Sequence, residues 1–146
     1  MEQFEEVGIL LVEDNTFDAE LTIRSFKDQK LANSVTWVKD GEQALDYVLR
    51  RGAYAQRTSS DPRLILLDLK MPRVGGIDVT RALKGDERTK HIPIVVMTSS
   101  NEESDIAECY KLGANSYIVK PLDFDSLAEV ARQAGYYWLA VNRGPS

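Results

Sequence analysis

The stretch Leu64-Ile65-Leu66-Leu67-Asp68 sets four apolar residues in a row directly before a carboxylate. A strand with one face in water alternates apolar and polar residues, whereas an unbroken apolar run suits a strand covered on both faces, as in a parallel sheet between helix layers. Short apolar runs rich in β-branched residues also occur at residues 7–12, 35–38, 92–97 and 117–119, and each of the five runs is followed by a helical pattern. Ala19, Ile23 and Phe26 keep helical spacing; Ala44 and Val48, like Leu45 and Leu49, repeat four apart; Ile106, Ala107 and Tyr110 share a face. Residues 77–84 supply a third helix with Ala82 and Leu83 as its inward candidates, and Leu127, Ala131, Ala134, Trp138 and Val141 form one stripe through the last. Val35 and Trp37 with Thr36 between them suit a less buried edge strand. Five strands and five helices in strict alternation predict a doubly wound α/β domain. Residues 50–63 are polar, contain Gly52, Ser59, Ser60 and Pro62, and read as a surface loop or a short helical excursion.

Length and composition narrow the function. A chain of 146 residues suits one domain with one sizeable core, so residues 1–146 are expected to form a single unit with no output module. Hydrophobic residues make up 43% and charged residues 28%, a globular balance, and no apolar stretch is long enough to cross a bilayer. The N-terminus, Met1-Glu2-Gln3-Phe4-Glu5-Glu6, lacks the basic start of a signal peptide, which predicts a cytoplasmic protein without membrane attachment. One cysteine, Cys109, and one histidine, His91, exclude an internal disulfide and a Cys/His zinc site. Cys109 reads as an ordinary helix residue and His91 as a surface or edge position. A net charge of -5 argues against a phosphate-backbone binder and so against nucleic acid.

In an open parallel sheet, ligands bind beyond the carboxyl ends of the strands. Those ends are polar here: Glu13 and Asp14 after the first run, Asp68 after the third, Thr98 and Ser99 after the fourth, Lys120 after the fifth. Singly, each has a plain structural reading, since such carboxylates often cap the next helix and Asn15 or Thr16 could do the same. Together, Glu13, Asp14 and Asp68 bring three negative charges into one crevice, which Coulomb repulsion disfavours unless a cation is present. An all-oxygen ligand set favours a hard ion such as Mg²⁺. With Lys120 as a fixed positive charge and Thr98 as a hydroxyl donor, the set supplies the parts for phosphoryl transfer, and Asp68 is the best nucleophile candidate.

These residues bring the chain to a family. It resembles the CheY-like receiver domains of two-component response regulators over nearly its whole length. The resemblance is carried in order by Leu10-Leu11-Val12-Glu13-Asp14, Asp40-Gly41-Glu42-Gln43-Ala44-Leu45, Leu64 to Pro72, Val96-Met97-Thr98-Ser99 and Gly113 to Pro121. It implies a flavodoxin-like sheet of order 2-1-3-4-5 and a phosphoryl group accepted on Asp68 from a sensor histidine kinase. It also implies Mg²⁺ held by Glu13, Asp14, Asp68 and the backbone carbonyl of Lys70. Thr98 and Lys120 would contact the phosphoryl oxygens, and Tyr117 would act with Thr98 as a switch. Ser99 is small, as the family requires there, while Lys70 and Ser100 occupy positions that tune autodephosphorylation. A cis Lys120–Pro121 bond would aim the lysine inward. Arg51 to Arg57, the Met71-Pro72-Arg73 turn and the tail from Tyr136 to Asn142 look like the small regulators that partner bacterial phytochrome kinases.

Two rival readings share some of these features. A haloacid-dehalogenase-like phosphatase needs two aspartates separated by one residue after the first strand, but Glu13 and Asp14 are adjacent and the nucleophile candidate follows the third run. A pseudo-receiver would have lost part of the acid, hydroxyl and lysine set, all of which is present. No nucleotide-binding glycine motif occurs, and Gly75-Gly76 reads as the turn into the third helix. The protein is therefore expected to be a signalling phosphoacceptor, not a turnover enzyme, with output through contacts near Thr98 and Tyr117. Tyr136 to Val141 are six consecutive apolar or aromatic residues. A helix made of them presents such side chains in every direction, so a homodimer through Tyr136, Tyr137 and Trp138 is expected.

Overall fold

Each apolar run becomes a strand in the computed structural model, which describes residues 8–29 and 34–143. The strands are β1 (Gly8–Val12), β2 (Ser34–Val38), β3 (Leu64–Leu67), β4 (Ile94–Thr98) and β5 (Ser116–Val119); the helices are α1 (Thr16–Gln29), α2 (Gly41–Leu49), α3 (Gly76–Lys84), α4 (Glu103–Leu112) and α5 (Phe124–Tyr136). All neighbouring strands pair in parallel in the order β2-β1-β3-β4-β5, the order that the family resemblance implies. Val7 lies outside the described residues, and Ile92, though buried, precedes β4. The loop expected at residues 50–63 contains one 3₁₀ turn, Gly52–Tyr54. Among the described residues, no helix is long and apolar enough to cross a membrane.

The two-residue period of the strands divides the core. Leu10, Val12, Ile65, Leu67, Ile94 and Val96 point to one face, against Ala44, Leu45 and Val48 of α2, Val79 and Leu83 of α3, and Cys109 of α4. Ile9, Leu11, Leu64, Leu66 and Val95 point to the other, against Ala19 and Phe26 of α1 and Leu139 beyond α5. β3 is central and all four of its residues are buried, whereas β2 and β5 at the edges are mostly half-buried. A residue on a central parallel strand has a helix layer on either side, so apolar side chains are required in both directions.

Several helix faces differ from those read in the sequence. In α3 the inward residues are Val79, Thr80 and Leu83, and Ala82 is exposed. Gly76 fixes this phase: a Cβ there would stand 2.3 Å from the Asp68 carbonyl oxygen, so only glycine lets the helix start so close to β3. Thr80 tolerates burial because its hydroxyl donates to the Gly76 carbonyl at 2.9 Å. In α4 Cys109 is the buried residue, Ile106 is half-buried, and Ala107 and Tyr110 face outward. Gly113, at φ 107°, ends that helix in the left-handed conformation that favours glycine. After α5 the chain widens into a π turn, Tyr137–Val141, closed by Asn142 N–H donating to the Tyr137 carbonyl. The wider turn carries Leu139 inward, leaves Trp138 half-buried and exposes Val141, which ends the predicted stripe at Ala134.

The contact beneath Asp68 yields a prediction. Gly76→Ala forces a methyl group against backbone, and overpacking of this kind typically costs about 1–3 kcal/mol. The urea midpoint should fall with an unchanged slope; an unaltered midpoint would mean that α3 is not docked this closely.

Candidate functional site

Five polar side chains meet at the carboxyl edge of the sheet because the strand order brings the ends of β1, β3, β4 and β5 together. Glu13 follows β1, and the main chain holds it firmly: its N–H donates to the Val38 carbonyl at 3.1 Å, and its carbonyl accepts from Trp37 Nε1 at 2.8 Å. Asp68 follows β3, with its N–H on the Val12 carbonyl at 3.0 Å. Lys120 follows β5, and its N–H donates to the Thr98 carbonyl at 2.7 Å. Glu13, Asp68 and Thr98 are buried and Asp14 is exposed. The Lys120–Pro121 bond, expected cis, is trans. The trans form is the lower in energy for most X-Pro bonds, and it already delivers the lysine to the pocket.

Lys120 Nζ donates to Glu13 Oε1 at 2.5 Å, to Asp18 Oδ2 at 2.9 Å and to Asp68 Oδ2 at 3.2 Å. Asp68 Oδ1 accepts from the Lys70 N–H at 3.3 Å, and Glu13 Oε2 accepts from the Asn15 N–H at 3.2 Å. Ligand oxygens of Glu13, Asp14 and Asp68 lie within 4.8 Å of one another. Glu13, Asp18 and Asp68 share the charge of one ammonium, Asp14 stands beside them, and this crowding of hard oxygen donors fits a divalent cation such as Mg²⁺. Of the residues named from the sequence, Glu13, Asp14, Asp68, Thr98 and Lys120 converge, and the Lys70 main chain borders them.

Tyr117 is half-buried on β5, with its hydroxyl donating to the Ser100 carbonyl at 2.9 Å. Ser100 N–H approaches Thr98 Oγ1 at 3.5 Å, and the Ser100 hydroxyl donates to Asp105 at 2.6 Å. A chain of polar contacts thus runs from the site to α4. Sequence reasoning missed Asp18, Asp105 and the support from Trp37. Asp18 carried a signal, the spacing Asn15-x-x-Asp18 of a helix cap, but that pattern predicts a local role. His91 is exposed, as expected.

Electrostatics sorts the two buried acids. Burial pushes the Glu13 carboxyl up to about 7, outweighing the Lys120 ammonium. Asp68 is also raised by burial, but Lys120 and hydrogen bonds from Glu13 and Thr98 outweigh that, holding it below its ordinary range. Burial lowers Lys120, and its carboxylate partners more than reverse this, so it stays protonated. Of these two neighbouring carboxyls, Glu13 is thus the more readily protonated in the metal-free protein.

The sequence pattern of the response regulator receiver domain family matches residues 9–132. The probable methanogenesis regulatory protein FilR2 of Methanothrix harundinacea is 41% identical over 138 residues, covering 94% of this chain and 86% of that protein. Response regulator Rcp1 of Synechocystis is 33% identical over 131 residues, covering 90% and 88%, and its Mn²⁺-bound crystal structure superposes with a TM-score of 0.89 at 31% identity over 96% and 99% of the chains. The crystal structure of the phosphorylated cyanobacterial phytochrome response regulator RcpA superposes with a TM-score of 0.91 at 35% identity over 98% and 100%. The chain belongs to the response regulator receiver family. Within it, the chain is related to phytochrome-associated regulators.

The proton on Glu13 makes stability depend on pH in the metal-free protein. Its folded-state value lies above the ordinary 4.5, so the folded state binds the extra proton and stability declines as pH rises from about 4.5 to about 7. Asp68 acts oppositely and lower, contributing stability above its ordinary 3.8 that is lost as pH falls through its depressed value. In EDTA, the unfolding free energy should drop by on the order of 1–3 kcal/mol between pH 5 and 8. Glu13→Gln should flatten the decline. A wild-type profile flat across this interval would contradict the raised Glu13 value.

Proposed function

We propose that the protein is a phosphoryl-accepting response regulator in which Asp68 takes a phosphoryl group from the phosphohistidine of a sensor histidine kinase. The observation that supports this most is the placement of the Asp68 carboxylate, with one oxygen on the Lys70 amide and the other on the Lys120 ammonium, beside the ligand oxygens of Glu13 and Asp14. An Asp68 oxygen forms the O–P bond as the N–P bond breaks, and the electron pair stays on the departing imidazole nitrogen. Asp68 suits the role because, against the effect of burial, the Lys120 ammonium and hydrogen bonds hold its carboxyl below the ordinary range, so it stays ionised. Lys120 neutralises phosphoryl oxygen charge, and the buried Thr98 hydroxyl donates to another phosphoryl oxygen. Glu13, Asp14, Asp68 and the Lys70 carbonyl would hold Mg²⁺, which when bound would neutralise charge on the transferring group.

Signalling follows from contacts. Drawing Thr98 toward a phosphoryl group disturbs Ser100, and with it the Tyr117 hydroxyl and Asp105 of α4, so the face formed by α4, β5 and α5 carries the output to a protein target. Likeness to Rcp1 and to the phytochrome regulator RcpA supports a bacterial phytochrome as the kinase, and a cytoplasmic location goes with that reading.

The C-terminal turn supports self-association. Tyr136, Tyr137 and Val141 are 55%, 49% and 51% exposed, and Tyr137 packs edge-on against Trp138 with ring centroids 5.1 Å apart. A second copy of this chain is the proposed occupant, since a two-fold contact sets the same aromatic cluster against itself.

Two experiments test these readings. Asp68→Asn keeps the shape of the carboxylate and loses its nucleophilicity, so labelling by a phytochrome kinase or by acetyl phosphate should disappear; stoichiometric labelling of that variant would refute the acceptor assignment. Sedimentation equilibrium at micromolar concentration should give a dimer for the wild type and a monomer for Tyr137→Ser. A wild-type monomer both with and without beryllofluoride and Mg²⁺ would exclude the C-terminal contact.

A further inference from the structure

Asp18 is the carboxylate that neither metal ligation nor phosphoryl acceptance uses. The three N–H groups of Lys120 meet three acceptors, on Glu13, Asp18 and Asp68. Two of those acceptors have a second claim on them, because Glu13 and Asp68 belong with Asp14 to the cluster of ligand oxygens. Asp18 lies outside that cluster.

The local chemistry explains why its side chain is free to turn inward. Asn15 caps α1, its Oδ1 accepting from the Asp18 N–H at 3.0 Å. An acid three residues after a cap usually reaches back to the cap residue's own N–H. Here Glu13 Oε2 takes that N–H at 3.2 Å, and Asp18 reaches across to β5 instead. The turn that carries it is braced: Phe17 stacks on Phe124 at the start of α5, with centroids 5.7 Å apart and planes 16° from parallel. The Lys120 side chain is only 8% exposed and Asp18 23%, so this pair is no solvated surface contact.

We propose that Asp18 is a positioning residue for phosphoryl acceptance. It is the fixed carboxylate that keeps the Lys120 ammonium in the pocket while the oxygens of Glu13 and Asp68 turn to the divalent cation and the phosphoryl group. The inference rests on Asp68 being the acceptor. With one N–H tied to Asp18, the other two point at the reacting oxygens; without it, a long unbranched side chain loses its one partner that does not change role during the reaction.

The test uses the full chain with acetyl phosphate and Mg²⁺. Asp18→Ala should slow labelling of Asp68 by about 10- to 100-fold, up to the scale of a misplaced reacting group. Asp18→Asn, whose amide oxygen still accepts an N–H, should recover to within about threefold of the wild type. The Mg²⁺ dissociation constant of Asp18→Ala should stay within about threefold of the wild type, because Asp18 is not among the ligands. The ¹⁵N-lysine ammonium signal of Lys120, assigned by its loss in Lys120→Ala, should persist with beryllofluoride in the wild type and Asp18→Asn and vanish in Asp18→Ala. If Asp18→Ala does not fold, Asp18→Ser, too short to reach the ammonium, replaces it. Wild-type labelling rates in the truncated variant, no recovery by asparagine, or an ammonium signal indifferent to position 18 would each overturn the proposal. Failure of the wild type itself to be labelled on Asp68 would instead overturn the acceptor reading.

Discussion

One ammonium group, that of Lys120, is shared among carboxylates that arrive from β1, β3 and α1. Buried charges persist only when paired and hydrogen-bonded, so the carboxyl edge of the sheet can close over Glu13 and Asp68 only with this cation between them. The pairing is incomplete. Glu13, Asp18 and Asp68 share one positive charge with Asp14 close by; burial raises the Glu13 carboxyl to about 7, and the crowded oxygens suit a divalent cation. Attraction to Lys120 and repulsion among the acids therefore arise from the same geometry.

The loops around this edge are held by contacts that leave their residues little room to shift. Gly76 lets α3 begin against the main chain of Asp68. Arg73, at φ 67°, reaches Asp40 and Glu42 at the start of α2, tying the loop after β3 to a neighbouring helix. Asp40 in turn caps α2 by accepting from the Gln43 N–H at 2.8 Å. On the other side, Asn115 Oδ1 accepts the Ile94 N–H at 2.9 Å and joins the start of β4 to the entry of β5. Thr98 and Tyr117 thus stand on strands joined to each other, and hydrogen bonds through Ser100 link them.

Similarity to other regulators does not by itself choose a partner. FilR2, named as a methanogenesis regulatory protein, and RcpA, a phytochrome response regulator, both align with nearly the whole chain. A shared fold and pocket define the class of chemistry, whereas specificity lies in surfaces that differ among relatives.

The sequence by itself determined the alternation of strands and helices, the central place of Leu64 to Leu67 and the convergence of Glu13, Asp14, Asp68, Thr98 and Lys120. It could do so because strand burial and strand-end chemistry are written in consecutive residues. Tertiary structure decided what depends on how one element approaches another. The phase of α3 follows from Gly76 meeting the Asp68 carbonyl, which buries Thr80 and exposes Ala82. A π turn decides that Leu139 is inside and Val141 outside. The trans bond before Pro121 belongs with these, since both isomers are compatible with the same residues. Asp18 shows the difference most plainly. Its spacing from Asn15 describes a local helix cap, and only the nearby Glu13 carboxylate, by taking the N–H that such a cap would use, sends Asp18 to Lys120, 102 residues away in the chain.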